Sequence, residues 1–168
     1  KSLGNIIDPL DMIEKYGADA VRMYLAFIGP YNEPGNYPWN LDGVEAMRRF
    51  LDRVYILREK VQDVPVPEEI ERAIGKASNK VGEDTERFKL NTAVSALMVL
   101  VRTLEGFPVV PRPAYRALLT ILAPYAPHLA EYLWGEQGGA GSVHEASWPE
   151  YAHEVVSEVT IGVQVNGK

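Results

Sequence analysis

Arg72, Lys76 and Lys80 recur at i, i+4 and i+8. That spacing lines three cations along one side of a helix and makes the best local basic patch in the chain for a phosphate backbone. Glu68, Glu83 and Asp84 lie within pairing reach, so the same stripe could also be an ordinary solvated face. Arg53 and Arg58 have no acidic residue three or four positions away in their own segment. They can therefore meet either a phosphate or an acidic group on a neighbouring element. Arg48 and Arg49 have Glu45 and Asp52 at helical spacing and read as surface pairs. Lys1 and Ser2, taken alone, are two polar residues at a terminus, where disorder is the default.

Tyr31, Tyr37 and Trp39 could stack on unpaired bases, although Trp39 also stands where it would staple a helix by packing on Val44. Tyr132 and Trp134 read as packing at the end of a bundle. His128, His144 and His153 have no partners at a metal-ligand or triad spacing, and the run Glu83, Asp84 and Glu86 reads as solvated. There is no Ser/His/Asp set, no Gly-rich phosphate loop before a strand and no cysteine nucleophile. No metal site is expected.

The elements that must position these residues are helices. Asp8 and Pro9 open a short helix that Gly17 ends, and 18–28 is apolar on most sides. Prolines at 30, 34 and 38 make 29–40 irregular. Asn40 caps a long helix to about Gln62, with Met47, Phe50, Leu51, Val54, Leu57 and Val61 on one face. Pro67 to about Phe88 forms a second, with a core stripe of Ile70, Ala73, Ile74, Ala77, Val81 and Phe88. After a kink at Lys89 and Leu90, Asn91 caps a third that ends at Gly106 and belongs in the middle of the bundle. Pro111 and Pro113 start a fourth to about Ala123, and a last segment runs from Pro127 to Trp134. A glycine-rich loop at 137–141 precedes an alternating, strand-like run at 159–165. Short connections between long helices favour an all-α, antiparallel helix bundle.

The 168 residues are 46% hydrophobic, enough for one sizeable core. No apolar run approaches the roughly 18 residues of a membrane span, so a soluble chain without membrane contact is expected. The absence of cysteine fits a reducing cytoplasm. Seventeen Lys plus Arg against 23 Asp plus Glu give a net charge of -6, the wrong sign for gathering nucleic acid by overall charge. RNA contact would need a local basic patch. The chain starts at Lys1 rather than Met and stops just after the strand-like run, so both ends are expected to be cuts in something longer.

KSLGN at 1–5, IDP at 7–9 and YGADAVR at 16–22 resemble the end of the Lys-Met-Ser-Lys-Ser loop of class I aminoacyl-tRNA synthetases and the segment behind it. GVEAMRRFLDRVY at 43–55, LAPYAPHLAEYLW at 122–134 and VQVNGK at 163–168 are similar to leucyl-tRNA synthetases within that class. The resemblance implies an anticodon-binding-type helical bundle followed by a truncated C-terminal strand. It divides the chain into a signature-loop and stem-contact region at 1–40, a tRNA-binding bundle at 41–135, and the start of a small α/β domain at 136–168.

It implies that the parent enzyme joins leucine to tRNA-Leu through leucyl-adenylate, with ATP and magnesium. Lys1 and Ser2 would be the catalytic-loop remnant, with the Lys1 ammonium on the ATP phosphates. Contacts to the tRNA body, rather than anticodon reading, would fall to Arg53, Arg58, Arg72, Lys76 and Lys80. The partners implied are tRNA-Leu and the catalytic, editing and C-terminal domains of the same chain, in a cytoplasmic monomer. Without the nucleotide-binding fold, this piece alone is expected to be inactive and to hold no cofactor. The alternatives are the same domain of an isoleucyl, valyl or methionyl enzyme, or a non-catalytic helical scaffold.

Overall fold

The computed structural model describes residues 7–31, 35 and 37–150. Lys1, Ser2, His153 and the strand-like run at 159–165 lie outside the described residues. α1 (Pro9–Tyr16) begins where the Asp8 carboxylate accepts the Leu10 N–H at 2.8 Å. It ends at Gly17, whose φ of 88° few residues but glycine adopt. α2 (Ala18–Phe27) follows at once and buries Ala20, Val21, Met23, Tyr24 and Ala26.

α3 (Leu41–Leu57) is capped by Asn40, whose side chain accepts the Asp42 N–H at 2.9 Å. Val44, Met47, Phe50, Leu51, Val54 and Leu57 form its buried stripe. The expected continuation to Gln62 does not occur. Arg58–Lys60 tightens into a 3-10 turn and Val61–Gln62 (β1) pairs in parallel with Val110–Pro111 (β2). Lys60 fixes this exit, since its Nζ donates to the Glu105 and Phe107 carbonyls at 2.8 and 3.1 Å.

α4 (Glu68–Glu86) buries Ile70, Ile74, Ala77 and Val81 as its spacing predicts, but the stripe does not reach Phe88. Phe88 has φ 56° and is exposed, because the helix stops two residues earlier and the turn points its ring outward. α5 (Leu90–Glu105) starts one residue before Asn91, so Asn91 sits in its first turn and is not the cap. The turn is tied instead by Lys89 N–H to the Asp84 carbonyl at 2.7 Å, and by the Thr92 hydroxyl to the Asp84 carboxylate.

α6 (Arg112–Leu122) and α7 (Pro127–Glu136) complete the bundle. α6 is more enclosed than α5, with Ala114, Tyr115, Leu118, Leu119, Ile121 and Leu122 fully buried while Val99 of α5 faces water. The Tyr115 hydroxyl keeps its hydrogen bond inside this core by donating to the Val54 carbonyl at 2.8 Å. Beyond α7, Ser142 caps a 3-10 turn at Val143–Glu145, and Ser78 of α4 donates to the Pro149 carbonyl at 2.5 Å. The last described residues therefore lie against α4.

Candidate functional site

The basic residues singled out by spacing are mostly engaged. Arg53 of α3 makes a two-pronged pair with Glu105 of α5 at 2.7 and 2.5 Å, which holds the Glu105 carboxyl below the usual carboxylate range. Arg58 lies 3.6 Å over the Tyr55 ring and reaches Glu136 of α7 at 3.5 Å. Both use the partners on neighbouring elements that the sequence left open as an alternative to phosphate.

Along α4, Arg72 pairs with Glu68 at 2.5 Å and Lys80 with Asp84 at 2.8 Å. Lys76 is exposed and makes no ion pair among the described residues. The stripe is therefore one unpaired cation flanked by two balanced ones. Asp84 differs from the solvated carboxylate expected. It is buried, which favours its neutral form, yet hydrogen bonds from Lys80 and Thr92 more than offset this and hold its carboxyl below the usual range.

A second feature joins residues far apart in sequence. An open cleft of about 730 Å³ lies between the α1–α2 junction, the middle of α3 and the start of α7. Asp19, Arg48, Tyr55, His128 and Tyr132 line it. Arg48 pairs with Asp52 at 3.0 Å, and His128 Nδ1 lies 2.7 Å from the Asp19 carboxylate. The one arginine on its wall is thus already paired, and the cleft offers aromatic faces and hydrogen-bonding groups more than net positive potential. Tyr132 is exposed, with its hydroxyl on Glu136 at 2.8 Å, and does not pack into the bundle end as expected. Trp134 does pack on the core, with the Arg116 guanidinium 5.8 Å from its ring.

Sequence reasoning missed this cleft because its walls are brought together only by α2 meeting α7. The Arg48 and Asp52 pair at i, i+4 was the part visible in spacing.

At the C-terminal end of α2, the exposed Leu25, Tyr31 and Tyr37 line a hollow of about 490 Å³. Trp39 meets Tyr24 edge-on with ring centroids 4.9 Å apart. Its indole N–H is buried without a hydrogen-bond partner among the described residues.

Among the described residues, no group of three or more His, Cys, Asp or Glu side chains is placed to hold a metal ion. No described helix is long and apolar enough to cross a membrane.

The comparisons with known proteins fall on both ends of this architecture. Residues 1–35 match the tRNA synthetases class I (I, L, M and V) family, and residues 110–168 match the anticodon-binding domain of tRNA ligase family. A leucine–tRNA ligase of Pelodictyon phaeoclathratiforme is 42% identical over the whole chain, and one of Porphyromonas gingivalis is 38% identical. The chain spans only 22% and 19% of their respective lengths.

A solved ternary complex, the Agrobacterium radiobacter K84 agnB2 LeuRS-tRNA-LeuAMS, shares the fold with a TM-score of 0.78 and 35% identity. The match covers 90% of this chain and 22% of that one. By sequence along its full length and by fold, the chain is a homologue of one part of the leucine–tRNA ligases, their helical, anticodon-binding-type domain and the segment that leads into it.

Proposed function

We propose that this chain is the part of a leucine–tRNA ligase that holds the body of tRNA-Leu. The full protein would join leucine to that tRNA through leucyl-adenylate. The observation that carries this reading is the unbroken similarity to leucine–tRNA ligases across both family segments, about 40% identical from end to end. The shared fold with a synthetase solved together with tRNA supports the same reading.

In this proposal Lys1 and Ser2 complete the active-site loop, and the Lys1 ammonium meets the ATP phosphates. ATP, with magnesium, supplies the activation of the amino acid. No catalytic step is assigned to the described residues. Their role is binding and placement. Lys76, flanked by Arg72 and Lys80, is the cation best placed to meet tRNA phosphate. Arg53 and Arg58 act chiefly as cross-bundle ties, reaching phosphate only if their carboxylates are exchanged for it.

The exposed apolar residues of α1 and α2, Leu10, Ile13, Leu25 and Phe27, suit burial against the catalytic domain of the same protein. A cytoplasmic monomer is the form expected.

The test is aminoacylation of tRNA by the full-length protein supplied separately with leucine, isoleucine and valine. Charging with leucine alone is the expected outcome, and charging with isoleucine or valine in its place would overturn the specificity.

A further inference from the structure

Asp19 sits in the first turn of α2, is 7% exposed, and turns its carboxylate away from its own helix. Oδ2 accepts the Leu129 N–H at 2.8 Å, and Oδ1 accepts the His128 N–H at 3.4 Å while lying 2.7 Å from the His128 ring. These are the opening residues of α7, which has no side-chain cap of its own. Asp19 therefore caps a helix 109 positions away, placing negative charge where the helix dipole and unbonded N–H groups favour it.

One turn further along α2, Arg22 Nη2 donates to the Pro124 carbonyl at 3.0 Å, in the connection that leads into α7. Two side chains at i and i+3 thus grip a single turn. Apolar contacts between helices tolerate sliding, whereas these charge-assisted hydrogen bonds fix distance and direction.

The two sides of the grip belong to different family segments. Asp19 and Arg22 lie in the stretch matched by the class I synthetase family, and the α6–α7 turn lies in the stretch matched by the anticodon-binding family. We infer that Asp19, backed by Arg22, is a positioning residue. It sets how the α6–α7 turn and α7 are seated on the end of the catalytic segment, and so where a tRNA held there presents its acceptor end. This rests on the proposed function of the full protein. Most of α2 packs on α3 and α5, so loss of the grip should loosen the α2–α7 angle while leaving the core intact.

The test uses the full-length protein and two assays on the same preparations: leucine-dependent ATP–pyrophosphate exchange, which needs no tRNA, and charging of tRNA. Asp19→Ala removes every acceptor, Asp19→Asn keeps the shape and one acceptor, and His128→Ala removes only the exposed ring while leaving both backbone bonds. The expected result is unchanged exchange for all three variants. Charging kcat/KM should fall about tenfold in Asp19→Ala, a size usual for coupling between sites, with Asp19→Asn intermediate and His128→Ala close to the unmodified protein.

Parallel loss of exchange and charging in both Asp19 variants would mean structural support only and would overturn the inference, as would full charging by Asp19→Ala. An unmodified protein inactive with leucine in both assays would overturn the ligase reading, and this inference with it.

Discussion

Asp84 and Glu105 are carboxylates held in the charged form by groups on other turns. Glu105 owes this to the two-pronged bond from Arg53. Asp84 overcomes its own burial through Lys80 and Thr92. Both therefore have folded-state values below their unfolded ones. The stability they contribute is present above the ordinary carboxylate value of about 4 and is lost as pH falls through the folded value.

Thermal unfolding should accordingly be flat from about pH 7 to 5 and fall steeply below about 4. Asp84→Asn should make that acid limb shallower. Asp84→Ala should cost about 2 kcal/mol at neutral pH, since it strips a buried junction of its charged acceptor. An acid limb unchanged in Asp84→Asn would show that other carboxylates set it. The burial of Asp84 runs against the solvated run read from the sequence, although position 84 follows Ile70, Ile74, Ala77 and Val81 at helical intervals. A carboxylate on a core face draws attention only when its partners are known, and Thr92 belongs to the next helix.

At the scale of elements, the approach of α2 to α3 is set by Gly43. A methyl group there would come within 2.5 Å of the Tyr24 ring, and that ring is held in place by its hydroxyl accepting the Asn40 N–H at 2.8 Å. Gly43→Ala improves intrinsic helix propensity by up to about 1 kcal/mol, yet it should destabilise the domain by about 1–3 kcal/mol because the ring must move. Chemical denaturation read by tyrosine and tryptophan fluorescence checks this, and a more stable variant would show that Tyr24 yields easily.

The starts of α1, α3 and α6 were readable because Asp8, Pro9, Asn40 and Pro113 act within one turn of themselves. The end of α3 was not, since Val61 continues its apolar spacing. What stops the helix there is Lys60 bonding to carbonyls at the end of α5 and a strand pairing with residues 110 and 111.

For the molecule as a whole, the net charge of -6 makes any affinity for tRNA a matter of a few unpaired cations. Lys76 is the member of the candidate set that the described residues leave without an ion pair. In the full-length protein, Lys76→Glu should weaken tRNA binding several-fold and reduce the slope of log affinity against log salt by about 1, the signature of one lost phosphate contact. An unchanged affinity and slope would remove the α4 stripe from the interface. The family itself was legible in contiguous motifs such as YGADAVR and LAPYAPHLAEYLW, and the comparisons fall on those stretches.

The amino-acid sequence by itself determined the helical class, most helix starts and the kinship with leucine–tRNA ligases, because caps, prolines, apolar spacing and motifs act over a few neighbouring residues. Which charges remain available was decided only by the tertiary structure. The candidate arginines and Lys80 depend on carboxylates within hydrogen-bond reach, and for Arg53 and Arg58 those carboxylates come from other helices. The grip of Asp19 on the start of α7 lies wholly on that side, since a cap supplied across 109 positions leaves no local trace.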